Sequence, residues 1–213
     1  MPRRLPEYAV RNRDVWTVSN ANYTAASAHD SWAQDKITWG RWNTPEDDIK
    51  VLPEMKGLEV IELGCGTAYF GAWLKKAGAK RVLGVDITPA QLKTAEEMNE
   101  EFGLGLEDLI FMRSTDLEMV CSADTERIGT KLVRPLKGMH RLDWTDDEVG
   151  ASTEFHVSHS ELFQILRRSG FDVIDFRELY AAESAEDHPY YQYVSAEWAK
   201  QWPSEEIWRA RKR

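Results

Sequence analysis

The sequence is poor in cysteine and has no long apolar run. Its 213 residues include only two cysteines, Cys65 and Cys121, which are too few for a disulfide framework and predict a reducing, cytoplasmic compartment. No stretch approaches the ~20 consecutive apolar residues of a membrane-spanning helix, so we expect no membrane partner. Arg3 and Arg4 are not followed by an apolar run, and the sequence therefore does not predict a signal peptide.

Positive charge is also in short supply. The 36 acidic residues outnumber the 27 lysines and arginines and give a formal net charge of −9. A general nucleic-acid-binding protein needs a basic face to displace the counterions of the phosphates, so we expect no nucleic-acid partner, although a local basic patch remains open. Hydrophobic residues make up 42% of the chain, which is enough for one sizeable folded domain. The sequence predicts no metal site.

Tryptophan is concentrated near the start of the chain. Residues 1–56 show no strand pattern, and the stretch 19–34 is compatible with one or two helices. We interpret residues 1–56 as an N-terminal aromatic cap that packs on an α/β domain spanning 57–213, so that the two form a single compact unit. Four of the nine tryptophans lie in the cap, namely Trp16, Trp32, Trp39 and Trp42. The last three are interpreted as packing residues or, alternatively, as the wall of a site for a cationic group.

From residue 58 onward, strand and helix patterns alternate. The apolar run 58–63 is typical of a buried parallel strand, and a helix pattern over 70–77 separates it from a second strand over 81–86. A second helix is expected to begin after Thr88, where Gln91 would complete a capping box. Strand, helix, strand and helix with short connections predict a Rossmann-like, doubly wound α/β fold with a mostly parallel sheet.

The C-terminal part of the sequence continues this pattern. Ser158 and Glu161 predict a capping box at the start of a helix, and an alternating strand is expected over 171–176. A short helix over 195–202 and a last strand around 207–208 complete the predicted elements.

A glycine-rich turn follows the first predicted strand. Gly64 and Gly66 allow the main chain to turn tightly and allow a ligand to approach main-chain atoms closely. Asp86 stands at the end of the second predicted strand, twenty residues after Gly66, where its carboxylate is placed to accept hydrogen bonds from both hydroxyls of a ribose. The pairing of a glycine-rich turn with an acid at the end of the next strand indicates a nucleoside ligand.

The residues around the two glycines distinguish between nucleosides. A dinucleotide-binding fingerprint requires a third glycine where this chain has Tyr69, whose side chain would obstruct a pyrophosphate, so an NAD-dependent oxidoreductase is the weaker alternative. The spacing here is Gly-x-Gly-x-Ala, with Glu62 two residues before the first glycine. This pattern resembles motif I of the class I S-adenosylmethionine-dependent methyltransferases, with an alanine in place of the commoner third glycine.

The resemblance implies which residues bind S-adenosylmethionine. Glu62 would help to orient the amino-acid end of the cofactor, Asp86 would hold the ribose, and Ile87 would pack on the adenine. The wall beside the methionine moiety would comprise Gly64, Cys65, Gly66 and Ala68, together with Thr67.

The family fold has a seven-stranded sheet, and this chain is short for it. Each strand–helix step takes about 30 residues, yet residues 103–158 show one convincing strand pattern, at 109–112. We therefore expect fewer than seven strands and an internal deletion of roughly 50 residues, by the same strand–helix arithmetic. The alternative is that residues 103–158 contain strands without a recognisable pattern.

The resemblance implies an enzyme that transfers a methyl group in line to a small-molecule acceptor. A general base is needed only if the acceptor must lose a proton, and the candidates are His29, His140, His156 and His159. His159, at the start of a predicted helix, is chosen as the catalytic candidate. The acceptor itself is not identified by the sequence. A non-catalytic cofactor-binding relative that lacks the central strands is the alternative, and an exposed sheet edge leaves a homodimer open.

Overall fold

The computed structural model describes residues 5–104, 112–114, 127–146, 150–189 and 193–213. By its internal contacts the chain divides into two compact units. The first takes in the described residues of Met1–Ile37, Leu52–Ile110 and Asp143–Glu154, and the second takes in those of Thr38–Val51, Phe111–Leu142 and Phe155–Arg213. The domain boundary placed after residue 56 stays a prediction.

Helices and strands alternate through the described parts of the chain. The helices are α1 (Glu7–Ser19), α2 (Ala25–Ala33), α3 (Glu46–Ile49), α4 (Tyr69–Lys76), α5 (Pro89–Phe102), α6 (His159–Arg168) and α7 (Ala196–Ala199), with a π-helical turn at Asn20–Thr24. The strands are β1 (Thr38–Trp39), β2 (Thr44–Pro45), β3 (Glu59–Leu63), β4 (Arg81–Val85), β5 (Met112–Ser114), β6 (Arg141–Asp146), β7 (Gly150–Phe155), β8 (Phe171–Leu179) and β9 (Glu205–Lys212). Within these parts, no helix combines the length and apolar character needed to cross a bilayer.

The first unit is built around a parallel pair of strands. β3 and β4 lie side by side, with Glu59 opposite Arg81 and Leu63 opposite Val85, and α4 connects them. The glycine-rich turn directly follows β3, and Asp86 directly follows β4. The predicted strand–helix–strand order is therefore confirmed, and it brings the turn and the acid to the same end of the strand pair.

The N-terminal helices pack on this unit. α2 contacts both α4 and α5, and Trp32 on α2 is fully buried. Its indole N–H donates a hydrogen bond of 2.7 Å to the main-chain oxygen of Thr67, while the Trp73 indole N–H donates to the oxygen of Ser31, also at 2.7 Å. The buried neighbours of Trp32 are Cys65, Ala68, Ala72 and Ala95. The predicted N-terminal helices are confirmed, Trp32 is a packing residue, and the cap over residues 1–56 stays a prediction.

The second unit contains an antiparallel sheet with the order β5-β9-β8. β8 runs antiparallel to β9 from Phe171 opposite Lys212 to Leu179 opposite Glu205, with a shift of register between Val173 and Asp175. Both strands extend beyond their predicted limits, whereas α7 is shorter than the predicted helix over 195–202. The predicted α/β class, with N-terminal helices, is confirmed.

Two helix starts illustrate what a capping pattern can and cannot predict. At α6 the Ser158 hydroxyl accepts from the Glu161 main-chain N–H, and the Glu161 carboxylate accepts from the Ser158 N–H, as predicted. At α5 the predicted box is wrong, because Thr88 is the N-cap residue but its side chain accepts no capping hydrogen bond. The Gln91 side chain instead lies against Gly66, with Oε1 2.5 Å from the position a β-carbon would take there.

Strands also occur where the sequence pattern is weak. β6 and β7 pair with each other within the region 103–158, and the sequence predicts neither, because neither shows a clear apolar alternation. Residues 109–111 of the strand predicted there lie outside the described residues, and Met112 begins β5.

The strand pair of the first unit leaves apolar side chains exposed. Within the described parts of the chain, β3 is paired with β4 and with no other strand. Leu63 is 66% exposed and Ile61 46% exposed, although both lie on a strand of apolar character. The reduced strand number and the internal deletion stay predictions.

Candidate functional site

The glycine-rich turn has a left-handed main chain at three positions. Gly64, Gly66 and Ala68 have φ angles of +73°, +53° and +58°. Glycine adopts such angles readily, whereas a residue with a β-carbon does so at a cost, so Ala68 occupies a place that favours glycine. The main-chain N–H groups of Gly64 and Cys65 both donate to the oxygen of Val85, at 2.6 and 3.2 Å. These bonds fix the turn against the end of β4.

Asp86 joins the turn to the start of α5. Its Oδ2 accepts from the Gly66 main-chain N–H at 3.0 Å, and its Oδ1 accepts from the Thr88 N–H at 2.7 Å. Each carboxylate oxygen can accept more than one hydrogen bond, so both oxygens can take a further donor. The turn and the acid, twenty residues apart in the chain, are thus in direct contact.

A cleft of about 560 Å³ lies at the carboxyl ends of β3 and β4. Four residues predicted to bind the cofactor line it, and four more come from outside that prediction. The predicted ones are Gly64, Gly66, Asp86 and Ile87, and the others are Trp16, Leu63, Val85 and Gln91. A β-carbon at Gly64 would meet nothing within 4 Å, so the turn has open space in front of that residue.

Trp16 is the aromatic side chain of this cleft. It lies on α1, is 46% exposed, and lines the cleft together with Ile87 and Asp86. Its approach to the glycine-rich turn is a long-range contact, for which the local sequence of α1 gives no signal. Trp39 and Trp42, which the sequence suggested for such a wall, form their hydrogen bonds within the second unit. The Trp39 indole N–H donates to Glu46 at 2.6 Å, and the Trp42 indole N–H donates to Ser204 at 2.8 Å.

Glu62 lies behind the turn and does not line the cleft. It is 8% exposed, and its Oε2 accepts from the Gly71 main-chain N–H in the first turn of α4 at 3.1 Å. Burial raises the pKa of the Glu62 carboxyl to about 8, and the nearby charge of Asp86 acts in the same direction, although the bond from Gly71 opposes both. At neutral pH this carboxyl is therefore largely protonated in the free protein. Its observed contact holds the helix that follows the turn.

Cys65, Thr67 and Ala68 are also buried beneath the turn. Burial, with the negative charges of Glu62 and Asp86, raises the pKa of the Cys65 thiol to about 12. A neutral buried thiol is a poor nucleophile, so Cys65 acts as a small apolar side chain in packing. These three predicted residues support the turn rather than line the cleft.

His159 lies beside a buried carboxylate and two aromatic rings. Its Nε2 lies 2.6 Å from Oε2 of Glu206, a side chain with no solvent exposure. The Trp208 indole N–H donates to the other carboxylate oxygen at 2.8 Å, and the His159 ring packs against Phe176 and Trp208. The imidazole side chain itself is about half exposed. The buried carboxylate therefore fixes the orientation of a partly exposed imidazole within the second unit.

The other candidate histidines lie elsewhere in the described residues. His29 forms surface contacts with Asp30 and Glu101 at 3.5 and 3.4 Å. His156 is buried, and its main-chain N–H donates to the oxygen of His140, which is exposed. Among the described residues, no three or more His, Cys, Asp or Glu side chains are grouped to hold a metal ion.

Comparisons with known proteins bear on this site. Residues 60–126 match the family model described as a methyltransferase domain. Ribosomal protein L11 methyltransferase of Thermosipho africanus is 41% identical over 61 residues, which are 29% of this chain and 22% of that protein. The chain spans about a quarter or less of the length of the first curated relatives it matches.

Two solved structures share the fold of this chain. A structure from Listeria monocytogenes, assigned to the S-adenosylmethionine-dependent methyltransferases, has a TM-score of 0.57 at 16% identity and covers 81% of this chain and 98% of its own. An S-adenosylmethionine-dependent methyltransferase from Mesorhizobium loti has a TM-score of 0.53 at 16% identity, and the match covers 77% of this chain and 95% of that one. The resemblance to class I S-adenosylmethionine-dependent methyltransferases is confirmed.

Proposed function

We propose that this chain binds S-adenosylmethionine in the cleft at the ends of β3 and β4 and transfers its methyl group to a small-molecule acceptor. The observation that carries the proposal is the contact of Asp86 with Gly66 at the mouth of an open cleft, within the segment that matches a methyltransferase domain. The acidic character of the chain favours a small acceptor over a nucleic acid.

The cleft offers groups suited to a nucleoside. Asp86 is held by two main-chain N–H donors and presents its remaining acceptor positions to the two hydroxyls of a ribose. The open space before Gly64 accommodates an approach to the main chain, and Ile87 supplies an apolar surface for a base. The fit supports a nucleoside cofactor.

We assign Trp16 to the aromatic wall of the same site. An indole can stack on a purine ring or face a sulfonium, and either contact stabilises a bound ligand by about 0.5–2 kcal/mol. Gln91 lies beside Gly66 and provides both a donor and an acceptor at the same wall.

The bound cofactor supplies an electrophilic methyl group, so the protein contributes mainly position and alignment. For an acceptor that must lose a proton, His159 stays the sequence-based candidate for a general base. With Glu206 ionised, the Nε2–H of His159 donates to it and Nδ1 is left as the acceptor atom. Glu206 is then a positioning residue, because it acts through the imidazole.

A non-catalytic cofactor-binding protein is the second candidate function. It is favoured by the exposure of Leu63 and Ile61, since a complete sheet of this class would cover both sides of the first strand. The same exposed strand would be the contact surface of a homodimer.

Calorimetric titration with S-adenosylmethionine and with NAD separates the cofactor classes. We expect saturable binding of S-adenosylmethionine, and binding of NAD alone would overturn the proposal. A methyl-transfer screen over small acceptors then separates the enzyme from the binding protein. Incorporation of labelled methyl groups supports the enzyme, whereas cofactor binding without any transfer supports the second candidate.

A further inference from the structure

One internal segment of the chain is basic, although the chain as a whole is acidic. Residues 127–142 contain no aspartate or glutamate, although the chain as a whole has a net charge of −9. The segment carries five cationic side chains, namely Arg127, Lys131, Arg134, Lys137 and Arg141. Arg127 forms an ion pair with Asp187, and the other four cations lie within residues 131–141.

The segment surrounds a cleft of about 510 Å³ in the second unit. Three of the cations, Arg134, Lys137 and Arg141, line this cleft. Its other lining residues are Val133, Pro135, Gly138, Met139 and Leu142, so the cleft combines positive charge with an apolar surface.

Hydrogen bonds hold the segment in place at its start. The Ile128 main-chain N–H donates to the oxygen of Tyr193 at 2.8 Å. The Trp198 indole N–H donates to the oxygen of Gly129, also at 2.8 Å. Ile128 is 7% exposed, so an apolar side chain anchors the segment as well.

A tight turn shapes the floor of the cleft. The Met139 main-chain N–H donates to the oxygen of Leu136 at 3.1 Å, and Gly138 between them has a φ angle of +83°. Met139 is 8% exposed, whereas Lys137 in the same turn is exposed. The turn thus sets a buried apolar residue beside an exposed cation.

We propose that this cleft binds a small soluble organic anion, a carboxylate or phosphate monoester with a short apolar body. Arginine and lysine recognise such oxyanions through charge-assisted hydrogen bonds. The apolar body would cover Val133, which lines the cleft and is 55% exposed. The site lies wholly within the second unit and does not depend on the cofactor proposed for the first.

The test measures binding of octanoate and octyl phosphate to the full chain by calorimetry at low salt. Two control ligands separate the contributions: inorganic phosphate carries the charge without the apolar body, and octyl glucoside carries the apolar body without the charge. We expect saturable binding of both octyl anions, weakened by added salt, and no saturable binding of octyl glucoside. The Lys137→Glu variant should weaken binding at least about tenfold, the scale of a lost charge-assisted hydrogen bond.

Lys131→Glu is the matched control, because it makes the same charge change in the same segment at a residue that does not line the cleft. Its affinity should stay close to that of the unaltered chain. Equal weakening by both variants would mean a general effect of surface charge and would overturn the site. Binding only to vesicles that contain phosphatidylglycerol, or saturable binding of octyl glucoside, would also overturn it. Thermal unfolding of each variant checks that the fold is retained.

Discussion

Asp86 and Gly66, twenty residues apart, meet through a hydrogen bond of 3.0 Å between the carboxylate Oδ2 and the main-chain N–H. The Asp86 side chain is therefore already oriented by the main chain before any ligand arrives. A side chain with this double role should show two separable effects when it is replaced, one on the turn and one on the ligand.

Replacing Asp86 with alanine should weaken the binding of S-adenosylmethionine by about 1–3 kcal/mol, because charge-assisted hydrogen bonds to the ribose are lost. Calorimetric titration measures this change. Asp30→Ala is the control, since Asp30 is exposed and does not line the cleft. Unchanged affinity in the Asp86 variant would refute its assignment to the ribose.

Glu62→Gln should remove a pH dependence of stability. The pKa of Glu62 is raised from 4.5 to about 8 in the folded protein, so its contribution to stability is fully present below about pH 4.5 and is lost as the pH rises through about 8. A pKa that differs by one between the folded and unfolded chains changes the free energy of unfolding by about 1.4 kcal/mol. Glutamine keeps an oxygen for the Gly71 N–H and carries no charge. The free energy of unfolding of the Glu62→Gln variant, relative to that of the unaltered chain, should therefore increase from pH 5 to pH 9.

Chemical denaturation at several pH values measures the effect of Glu62→Gln. Glu59→Gln is a control on the same strand, because the exposed Glu59 has a lowered pKa, owing to its hydrogen bond and charge interaction with Lys80. If the two variants have parallel stability profiles between pH 5 and pH 9, the raised pKa of Glu62 is not supported.

Trp16→Ala should weaken cofactor binding by about tenfold, while Trp16→Phe should retain most of the affinity, because a smaller aromatic ring still covers the cleft. Trp144→Ala in the same unit is the control, as Trp144 bonds to Glu154 and does not line the cleft. Equilibrium titration of the three variants provides the comparison. Equal affinities of the alanine and phenylalanine variants would show that the ring of Trp16 makes no contact with the ligand.

Gly64→Ala and Gly57→Ala form a matched pair. Both glycines have positive φ angles, +73° and +80°, and both have open space at the β-carbon position, but only Gly64 lines the cleft. Each substitution should cost about 1–2 kcal/mol of stability through backbone strain. Only Gly64→Ala should also weaken cofactor binding. A similar loss of affinity in both variants would point to a global effect on the fold.

His159→Asn should lower kcat by about 100-fold or more if the imidazole accepts the acceptor's proton, while cofactor affinity stays constant. The measurement is the rate of methyl transfer to an acceptor found by the screen. His140→Asn, on an exposed residue of the same unit, is the control. Glu206→Gln should lower kcat less, because the imidazole keeps its own acceptor atom and loses only the carboxylate that orients it. Undiminished turnover of the His159 variant would contradict the base assignment.

The sequence predicts the parts of the site that are local in the chain. The turn with Gly64 and Gly66 and the acid Asp86 are adjacent to apolar strands, and the structure brings them together as expected. Trp16 could not be predicted, because its place beside the cleft depends on how α1 packs on the unit. The prediction of a capping box at Thr88 and Gln91 is wrong for a related reason, because the Gln91 side chain lies against Gly66 instead.

Burial likewise escapes a single sequence. The motif places Glu62 and Cys65 among the residues of the cofactor site, but it does not tell which side of the turn each side chain takes. Alternation along β3 brings Glu62 to the interior, with an exposure of 8%, whereas Leu63 next to it is 66% exposed. β6 and β7 escape prediction because strand pairing, rather than an apolar pattern, defines them.

The hydrogen bond from the Trp32 indole to the Thr67 carbonyl links α2 to the glycine-rich turn through a fully buried side chain. Breaking it alone would leave a polar group without a partner in an apolar interior, so local opening of α2 and of the turn must be cooperative. Helix α2 is thereby part of the same folding unit as the turn, and the conformational stability of the turn depends in part on Trp32, a residue that does not line the cleft.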